Sequence, residues 1–563
     1  MGNARARARV LCLLSAFGLP LSATAQTDPL TEPLGPTFDW RDLLPVRGGD
    51  GSLGYVLRNC QDEWQIAASL GLRHAGDING DGLDDLLYDV GSVYSGVPVA
   101  WGILMSLPDA PAVLDVSATS TLDGFQLPES FPSASGIAGV GDINGDGFDD
   151  VVGVEERFNC GRGCYYYGQT TIVFGRDEST AGPYPSILPG APAVISGGRL
   201  RHVTAASVRA DLNSDGINDL LVSFPEDRAS WRSSLAVVFG RPVEKPFPSY
   251  ESVNDLIDDT GGMYIGSDWL DARFTGRGGS IGDLNRDGVS DVAVGVRGTD
   301  TPTGVYVIFG RRLDDPFPRD FDPTAADTSE VVLFEIEEPG WDITGVGTAG
   351  DLNGDGIDDM AVSAFASDRQ RRLYIVFGRH DSHRDPFPPV FSLEELDGAN
   401  GFVLHGADGW SIGGTHARPL GDVNGDEVDD LLLADCIFYG QKLFHYPAVV
   451  RPDEVPHGQL VRFEGSDDVQ LAPLGDVNGD GVTDIGASFS GGDCEVAAII
   501  YGRRPPPPCR ADMDRDGEIT IFDWLTFSTA WEAHEPLADV DGDGEYSLLD
   551  YLVYQAMFHY GCP

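Results

Sequence analysis

The chain has 563 residues, of which 37 are basic and 89 acidic, giving a formal charge of -52 at pH 7. A balance this negative argues against nucleic acid or anionic lipid as a partner. The length admits several average domains or one large repeat array with attachments.

At the N-terminus Arg5, Arg7 and Arg9 precede an apolar run from Val10 to Leu21 and then Ala23-Thr24-Ala25. This pattern predicts a cleaved secretory signal over residues 1–25, since about twelve apolar residues fall short of the roughly twenty that span a bilayer. Export permits disulfides, and loss of Cys12 leaves an odd number of cysteines. A lead-in over 26–50 follows, and then an isolated strand signal at Gly54-Tyr55-Val56-Leu57.

From there one short run returns seven times, Asp-x-Asn-x-Asp-Gly-x-x-Asp or a near copy. Hard divalent cations need several oxygen ligands around one point, and a tight turn supplies them from alternate residues while a glycine lets the backbone bend. The first copy offers Asp77, Asn79, Asp81 and Asp85 by side chain and Leu83 by its carbonyl. The same plan gives Asp142, Asn144, Asp146, Phe148 and Asp150, then Asp211, Asn213, Asp215, Ile217 and Asp219, then Asp283, Asn285, Asp287, Val289 and Asp291. The last three copies are Asp351, Asn353, Asp355, Ile357 and Asp359; Asp422, Asn424, Asp426, Val428 and Asp430; and Asp476, Asn478, Asp480, Val482 and Asp484. Calcium is the expected ion. Ser214 and Arg286 replace a loop glycine, and Glu427 replaces the other one in the sixth copy, which places that copy's affinity most in doubt.

An apolar run follows each loop, and a second run ends in an aromatic residue and glycine: Trp101-Gly102, Phe174-Gly175, Phe239-Gly240, Phe309-Gly310, Phe377-Gly378, Tyr439-Gly440 and Tyr501-Gly502. These runs are short and rich in β-branched and aromatic residues, so strands are predicted, with no sustained helical periodicity between 50 and 500. A third strand follows, as at Gly401-Phe402-Val403-Leu404, and a fourth of small residues leads into the next loop, as at Gly136-Ile137-Ala138-Gly139-Val140. Small residues suit the crowded inner strand of a radial array. The seventh unit lacks its outer strand, and the isolated strand at 54–57 can fill that vacancy. The expected fold is mainly β, a seven-bladed β-propeller over 51–503 closed by its N-terminal strand; an open solenoid is the alternative. Closure would set Cys60 beside Cys494. Cys160 and Cys164 could staple a loop, and Cys436, which opens an apolar strand, reads as a buried thiol.

Pro505–Pro508 lie in a stiff linker, 504–508, and beyond it two loop-helix units occupy 509–563. Asp512, Asp514, Asp516, Glu518, Thr520 and Asp523 stand at positions 1, 3, 5, 7, 9 and 12 of an EF-hand-like calcium loop, as do Asp539, Asp541, Asp543, Glu545, Ser547 and Asp550. Helices are predicted at about 522–531 and 549–558. Cys509 and Cys562 bracket the segment and are expected to pair.

Two such loops in tandem, with Cys509 before them and Gly561-Cys562-Pro563 at the end, resemble a GC-type, type I-like dockerin. The Gly-Asp-x-Asn-Gly-Asp-Gly loops resemble the FG-GAP repeats of integrin α-subunit propellers. The dockerin resemblance implies a cohesin-like partner on a scaffold or on the cell envelope. No catalytic constellation stands out. Gly278-Gly279-Ser280-Ile281-Gly282 matches a nucleophile elbow only as text, and the histidines form no zinc spacing. The expected function is a secreted or cell-surface, non-catalytic recognition or adhesion protein that binds an extracellular protein or glycan. The alternative is a polysaccharide-active lyase or hydrolase on the same scaffold.

Overall fold

The computed structural model describes residues 37–39, 43, 53–59, 67–92, 98–104, 106, 113–115, 124–126, 137–159, 165–177, 193–196, 210–223, 235–247, 251–266, 272–298, 303–366, 370–380, 386–406, 418–433, 436–442, 446–451, 455, 459–464, 469–489, 495–503, 521–533, 551, 554, 555 and 558. The chain divides into two compact units, one of them Leu34–Arg504 and the other containing Pro505–Pro563.

Within Leu34–Arg504 the described strands form seven sheets of four or five strands each. Blade 5 shows the plan: Trp341–Gly350, Asp359–Ala366, Arg371–Val376 and Gly401–His405 run antiparallel from the centre outward. Alternation of side chains across each strand gives every sheet two apolar faces, and each face must be covered by a neighbouring sheet. Seven apolar clusters satisfy that need, one at each seam between consecutive blades. An open row of seven sheets would have six seams. The seventh joins Tyr55, Leu57, Leu474 and Ile499 of blade 7 to Leu72, Leu86, Tyr88 and Leu104 of blade 1, so the array is a closed seven-bladed β-propeller.

Closure uses the expected strand. Gly54–Asn59 pairs antiparallel with Glu495–Ile500, in register from Gly54↔Ile500 to Asn59↔Glu495. Cys60 and Cys494 come next along these two strands and, with Cys160, Cys164, Cys509 and Cys562, lie outside the described residues. Cys436 is buried in the strand Cys436–Phe438.

Two features depart from the four-strand expectation. Among the described residues six blades carry a further short strand that pairs parallel with the outermost one, and in five of these it comes from the connection inside the following blade. Val449–Val450, for example, leaves blade 6 to pair with Gly401–His405 of blade 5. For blade 6 the donor is Thr37–Asp39, in the segment read from sequence as a lead-in, so two N-terminal strands cross the closure point. A three-residue strand carries too little apolar periodicity to be legible in sequence. Second, the helix Val253–Thr260 occupies a connection where no helix was expected. It spans about two turns, with Leu256 and Ile257 buried, too short for a sustained period to show. The repeated Pro-Phe-Pro (246–248, 316–318 and 386–388) reads in the sequence as connector packing, and its rings do pack inward: Phe247, Phe317 and Phe387 are buried, with Arg241, Arg311 and Arg379 at 5.5, 4.7 and 4.9 Å from their ring centroids.

In the second unit the helix Ile521–Ala533 matches the first C-terminal expectation, and Tyr551, Tyr554, Gln555 and Phe558 are helical as well. Phe527 and Tyr554 are fully buried and stacked, with centroids 3.7 Å apart, and Trp524 packs on Tyr551, Tyr554 and Phe558. Most of these aromatics therefore hold the helices together, while Leu525 is exposed.

Candidate functional site

The seven acidic loops of the ring share one geometry. In the first, Asp77 Oδ1 accepts from the N–H groups of Gly80 and Asp81 at 2.7 and 3.1 Å, and Oδ2 accepts from Gly82 at 2.9 Å. Asn79 Oδ1 accepts from Asp81 N–H, and Asp81 Oδ1 from Leu83 N–H, both at 2.9 Å. Short polar side chains thus fold the backbone onto themselves, which is the reason Asp and Asn recur at alternate positions. The bond from the sixth residue to the first carboxylate returns in the other loops, at Gly147, Gly216, Gly288, Gly356, Glu427 and Gly481.

The fourth and sixth residues bend into the left-handed region, where Gly80 has φ 75° and Gly82 φ 87°. Ser214, Arg286 and Glu427, the three departures from glycine, are the non-glycine residues at positive φ among the described ones. Space separates the two positions. A Cβ on Gly82 would meet nothing within 4 Å, whereas one on Gly80 would lie 2.3 Å from the Phe148 ring of blade 2. Glu427 occupies the open type of position and bears only the φ cost. Gly82→Ala is accordingly expected to destabilise the ring by about 1–2 kcal/mol, and Gly80→Ala by roughly 1–3 kcal/mol more, in denaturant unfolding run in chelator.

The ninth residues, Asp85, Asp150, Asp219, Asp291, Asp359, Asp430 and Asp484, are fully buried. Each grips two main-chain groups. Asp85 Oδ2 accepts from Ile78 N–H within its loop at 3.0 Å, and Oδ1 from Ser106 N–H at the end of the third strand at 2.9 Å. In the other blades that second donor is the glycine after the aromatic residue, such as Gly175 to Asp150 and Gly502 to Asp484. The aromatic-Gly repeat therefore exists to bring a donor without a side chain onto a buried carboxylate; a Cβ on Gly175 would sit 2.4 Å from the Asp149 carbonyl oxygen. This corrects the assignment in blade 1. Trp101-Gly102 lies inside the strand Pro98–Leu104, and Ser106 occupies the donor position, its hydroxyl bonded to the Asp84 carbonyl. A serine there hides the signature, and a nearby Trp-Gly imitates it.

Burial raises the ninth carboxylates most, the neighbouring first and fifth carboxylates add to it, and the two N–H bonds oppose it. Asp85, Asp150 and Asp484 are pushed up to about 8, and Asp219, Asp291, Asp359 and Asp430 well above the ordinary value. Burial also raises the fifth-position Asp146, Asp215, Asp355 and Asp426. Carboxylates crowded into one turn and driven toward neutrality are relieved by either a proton or a cation. The groups expected from sequence to hold an ion, three carboxylates, an amide oxygen and a carbonyl in each loop, would offer only hard oxygen, the ligand type that calcium takes. Among the described residues no three His, Cys, Asp or Glu side chains converge as a ready-made metal cluster.

Sequence reading missed the eighth residue, which joins the blades. Asp84 Oδ2 accepts from Asp476 N–H at 2.8 Å, and Asp84 N–H donates to the Asp476 carbonyl at 3.0 Å, closing blade 7 on blade 1. Asp149, Asp358 and Asp429 reach back in the same way to the N–H groups of Asp77, Asp283 and Asp351. A second main-chain bond lies beside these, as from Arg379 N–H to the Leu284 carbonyl and from Arg503 N–H to the Val423 carbonyl. The loops thus form a hydrogen-bonded belt around one end of the ring. The doubled Asp at Asp84-Asp85, Asp149-Asp150, Asp358-Asp359 and Asp429-Asp430 was the available signal.

The C-terminal ligand candidates fall mostly outside the described residues: Asp512, Asp514, Asp516, Glu518, Thr520, Asp539, Asp541, Asp543, Glu545, Ser547 and Asp550. Asp523 lies in the helix Ile521–Ala533. Ser280 sits in the continuous strand Ala272–Gly282, paired with Val292, so no nucleophile elbow forms. Blade 5 does gather Arg372, Tyr374 and Trp341, with Arg372 Nη1 3.2 Å from the Tyr374 hydroxyl and its guanidinium 4.2 Å from the Trp341 centroid. Tyr374 and Trp341 are buried there, so the group is packing.

No family model matches the chain. Part of it is similar to integrin alpha-5 of Xenopus laevis, 30% identical over 235 residues, which is 41% of this chain and 19% of the relative. It is also similar to integrin alpha pat-2 of Caenorhabditis elegans, 25% identical over 240 residues, 40% of this chain and 17% of that protein. The matches thus span less than a fifth of these relatives' length. Among solved structures, a mannose phosphorylase from Leishmania mexicana aligns at 11% identity with a TM-score of 0.25, covering 58% of this chain and 88% of that one. The chain is thus a seven-bladed β-propeller, part of which is similar in sequence to integrin α chains.

Proposed function

We propose that the protein is an exported, calcium-stabilised recognition or adhesion propeller, held through its C-terminal dockerin-like unit by a cohesin-like partner or another envelope protein. The observation that carries the reading is the belt of seven oxygen-rich loops at one end of a ring similar to integrin α chains. That likeness favours binding over chemistry, and the ring's face would meet an extracellular protein or glycan. Calcium in the loops of the ring and in the two C-terminal loops would fix turns whose carboxylates otherwise repel. No helix among the described residues is long and apolar enough to cross a membrane.

The test is retention on envelope preparations of the producing organism. In millimolar calcium the full chain is expected to stay bound, while a chain ending at Arg504, or the full chain in chelator, washes off. Equal retention of both chains would sink the tether. Acidic polysaccharides incubated with the full chain are expected to yield no unsaturated or reducing-end products; their appearance would replace recognition with catalysis.

A further inference from the structure

We infer that Arg286 and Lys442 are resident cations that hold down the calcium affinity of the loops of blades 5 and 6. The inference rests on calcium as the ion of the loops. Two positions face the seam between successive loops: the fourth residue of one loop, and the residue two after the glycine that binds the buried carboxylate of the next blade. Their closeness shows where the first of them is glycine. A Cβ on Gly145 would lie 3.5 Å from Pro242 Cα, and one on Gly354 would lie 3.4 Å from Lys442 Cα and 2.5 Å from its Cγ.

The loops of blades 5 and 6 each receive a charge at this seam, from its opposite sides. Arg286, the fourth residue of its loop, carries its guanidinium across from blade 4: a Cβ on Gly356, the sixth residue of the next loop, would lie 3.8 Å from Arg286 Nη2. Arg286 also holds φ 57°, a conformation that suits glycine and strains any side chain, so the turn itself does not call for it. Lys442 runs over Gly354, and its ammonium pairs at 3.3 Å with Glu427, the sixth residue of the blade 6 loop. Burial raises the fifth carboxylates Asp355 and Asp426, and against it Arg286 pulls the first down and Lys442 the second. Arg312 has the Lys442 position on blade 4, and its Nη2 donates to the Asp287 carbonyl at 3.4 Å. Blades 2 and 3 hold Asp177 and Pro242 at that position, and the charged groups that act on their fifth carboxylates Asp146 and Asp215 are the acidic Asp142 and Asp211. A fixed positive charge beside the ligand set does part of calcium's work. It neutralises crowded carboxylates while the loop is free of metal, and it repels the dication that would replace it.

The test titrates the full chain with calcium by calorimetry against a competing chelator, at fixed pH and ionic strength. Arg286→Gln and Lys442→Gln keep a polar side chain in place and remove the charge. Each is expected to tighten part of the binding curve about threefold to tenfold. Arg297→Gln removes the same charge near the far end of the strand Asp291–Gly298, about 20 Å from the loops, and should leave calcium binding unchanged. In chelator the first two variants should melt below the parent, and saturating calcium should close most of that gap; a packing role alone would lower both melting temperatures alike. The inference is overturned if the parent binds calcium and either loop variant binds it no tighter, if Arg297→Gln tightens binding as much as they do, or if their melting deficit is the same with and without calcium. A parent that binds no calcium overturns it together with the calcium reading of the loops, so the two failures are told apart by the parent's own titration.

Discussion

Chelation of divalent cations is expected to lower the melting temperature of the ring by many degrees, and the loss should grow as pH rises. Extracellular calcium loops bind with Kd of about 0.1–1 mM, so at roughly millimolar calcium each contributes on the order of 0.4–1.4 kcal/mol. Seven loops together give roughly 3–10 kcal/mol, against a typical total of about 5–15 kcal/mol. The pH dependence follows from the ninth carboxylates. In the fold Asp85, Asp150 and Asp484 titrate at about 8, against about 3.9 in an unfolded chain. The native state therefore holds protons that the unfolded chain releases. Their stabilising contribution is complete below the unfolded value and is lost as pH rises through 8. In chelator, stability should fall steadily between about pH 5 and 8.5; in saturating calcium the slope should flatten, because the cation takes the place of the proton, and calcium addition at pH 7 should release acid. Differential scanning calorimetry over that range checks both. A melting curve indifferent to chelator, or a chelated protein that gains stability with pH, would remove the metal from the account.

Stepwise shortening of the N-terminus is expected to produce a threshold. A chain beginning at Leu34 keeps every described strand of the ring and should melt like the parent. One beginning at Leu53 loses Thr37–Asp39 and the buried Leu43, a moderate loss. Beginning at residue 61 removes Gly54–Asn59, with Tyr55, Val56 and Leu57 at 1, 2 and 0% exposure. Burial of three such side chains is worth about 5–9 kcal/mol, of the order of the whole stability. The exposed edge at Glu495–Ile500 would then pair with other chains. Sedimentation and circular dichroism should show two soluble rings and one aggregating product. A well-folded monomer from residue 61 would contradict the closure energetics.

The ring itself was legible because two signals agreed. The acidic loop fixed the repeat, and the unmatched strand at 54–57 fixed its closure. What escaped was whatever lacked a period: two- and three-residue parallel strands, an eight-residue helix, and Ser106 standing in for glycine. The loop residues were readable as a donor set, but their second task was hidden, since the motif treats as variable the eighth residue that binds the next blade. Asp84 reaches Asp476, almost four hundred positions away in sequence, and nothing local in either residue announces the pairing.

The belt has a polarity. At every seam the carbonyl and glycine side of one loop receives the eighth- and seventh-residue side of the next, as Gly80 receives Phe148 and Gly479 receives Leu83. Such a head-to-tail joint never matches itself, so two complete rings have no free joint to share, whereas a broken ring offers one of each kind. Opening the ring between blades 7 and 1 would bare one joint of each kind, and the Asp84–Asp476 clasp keeps both covered within one chain.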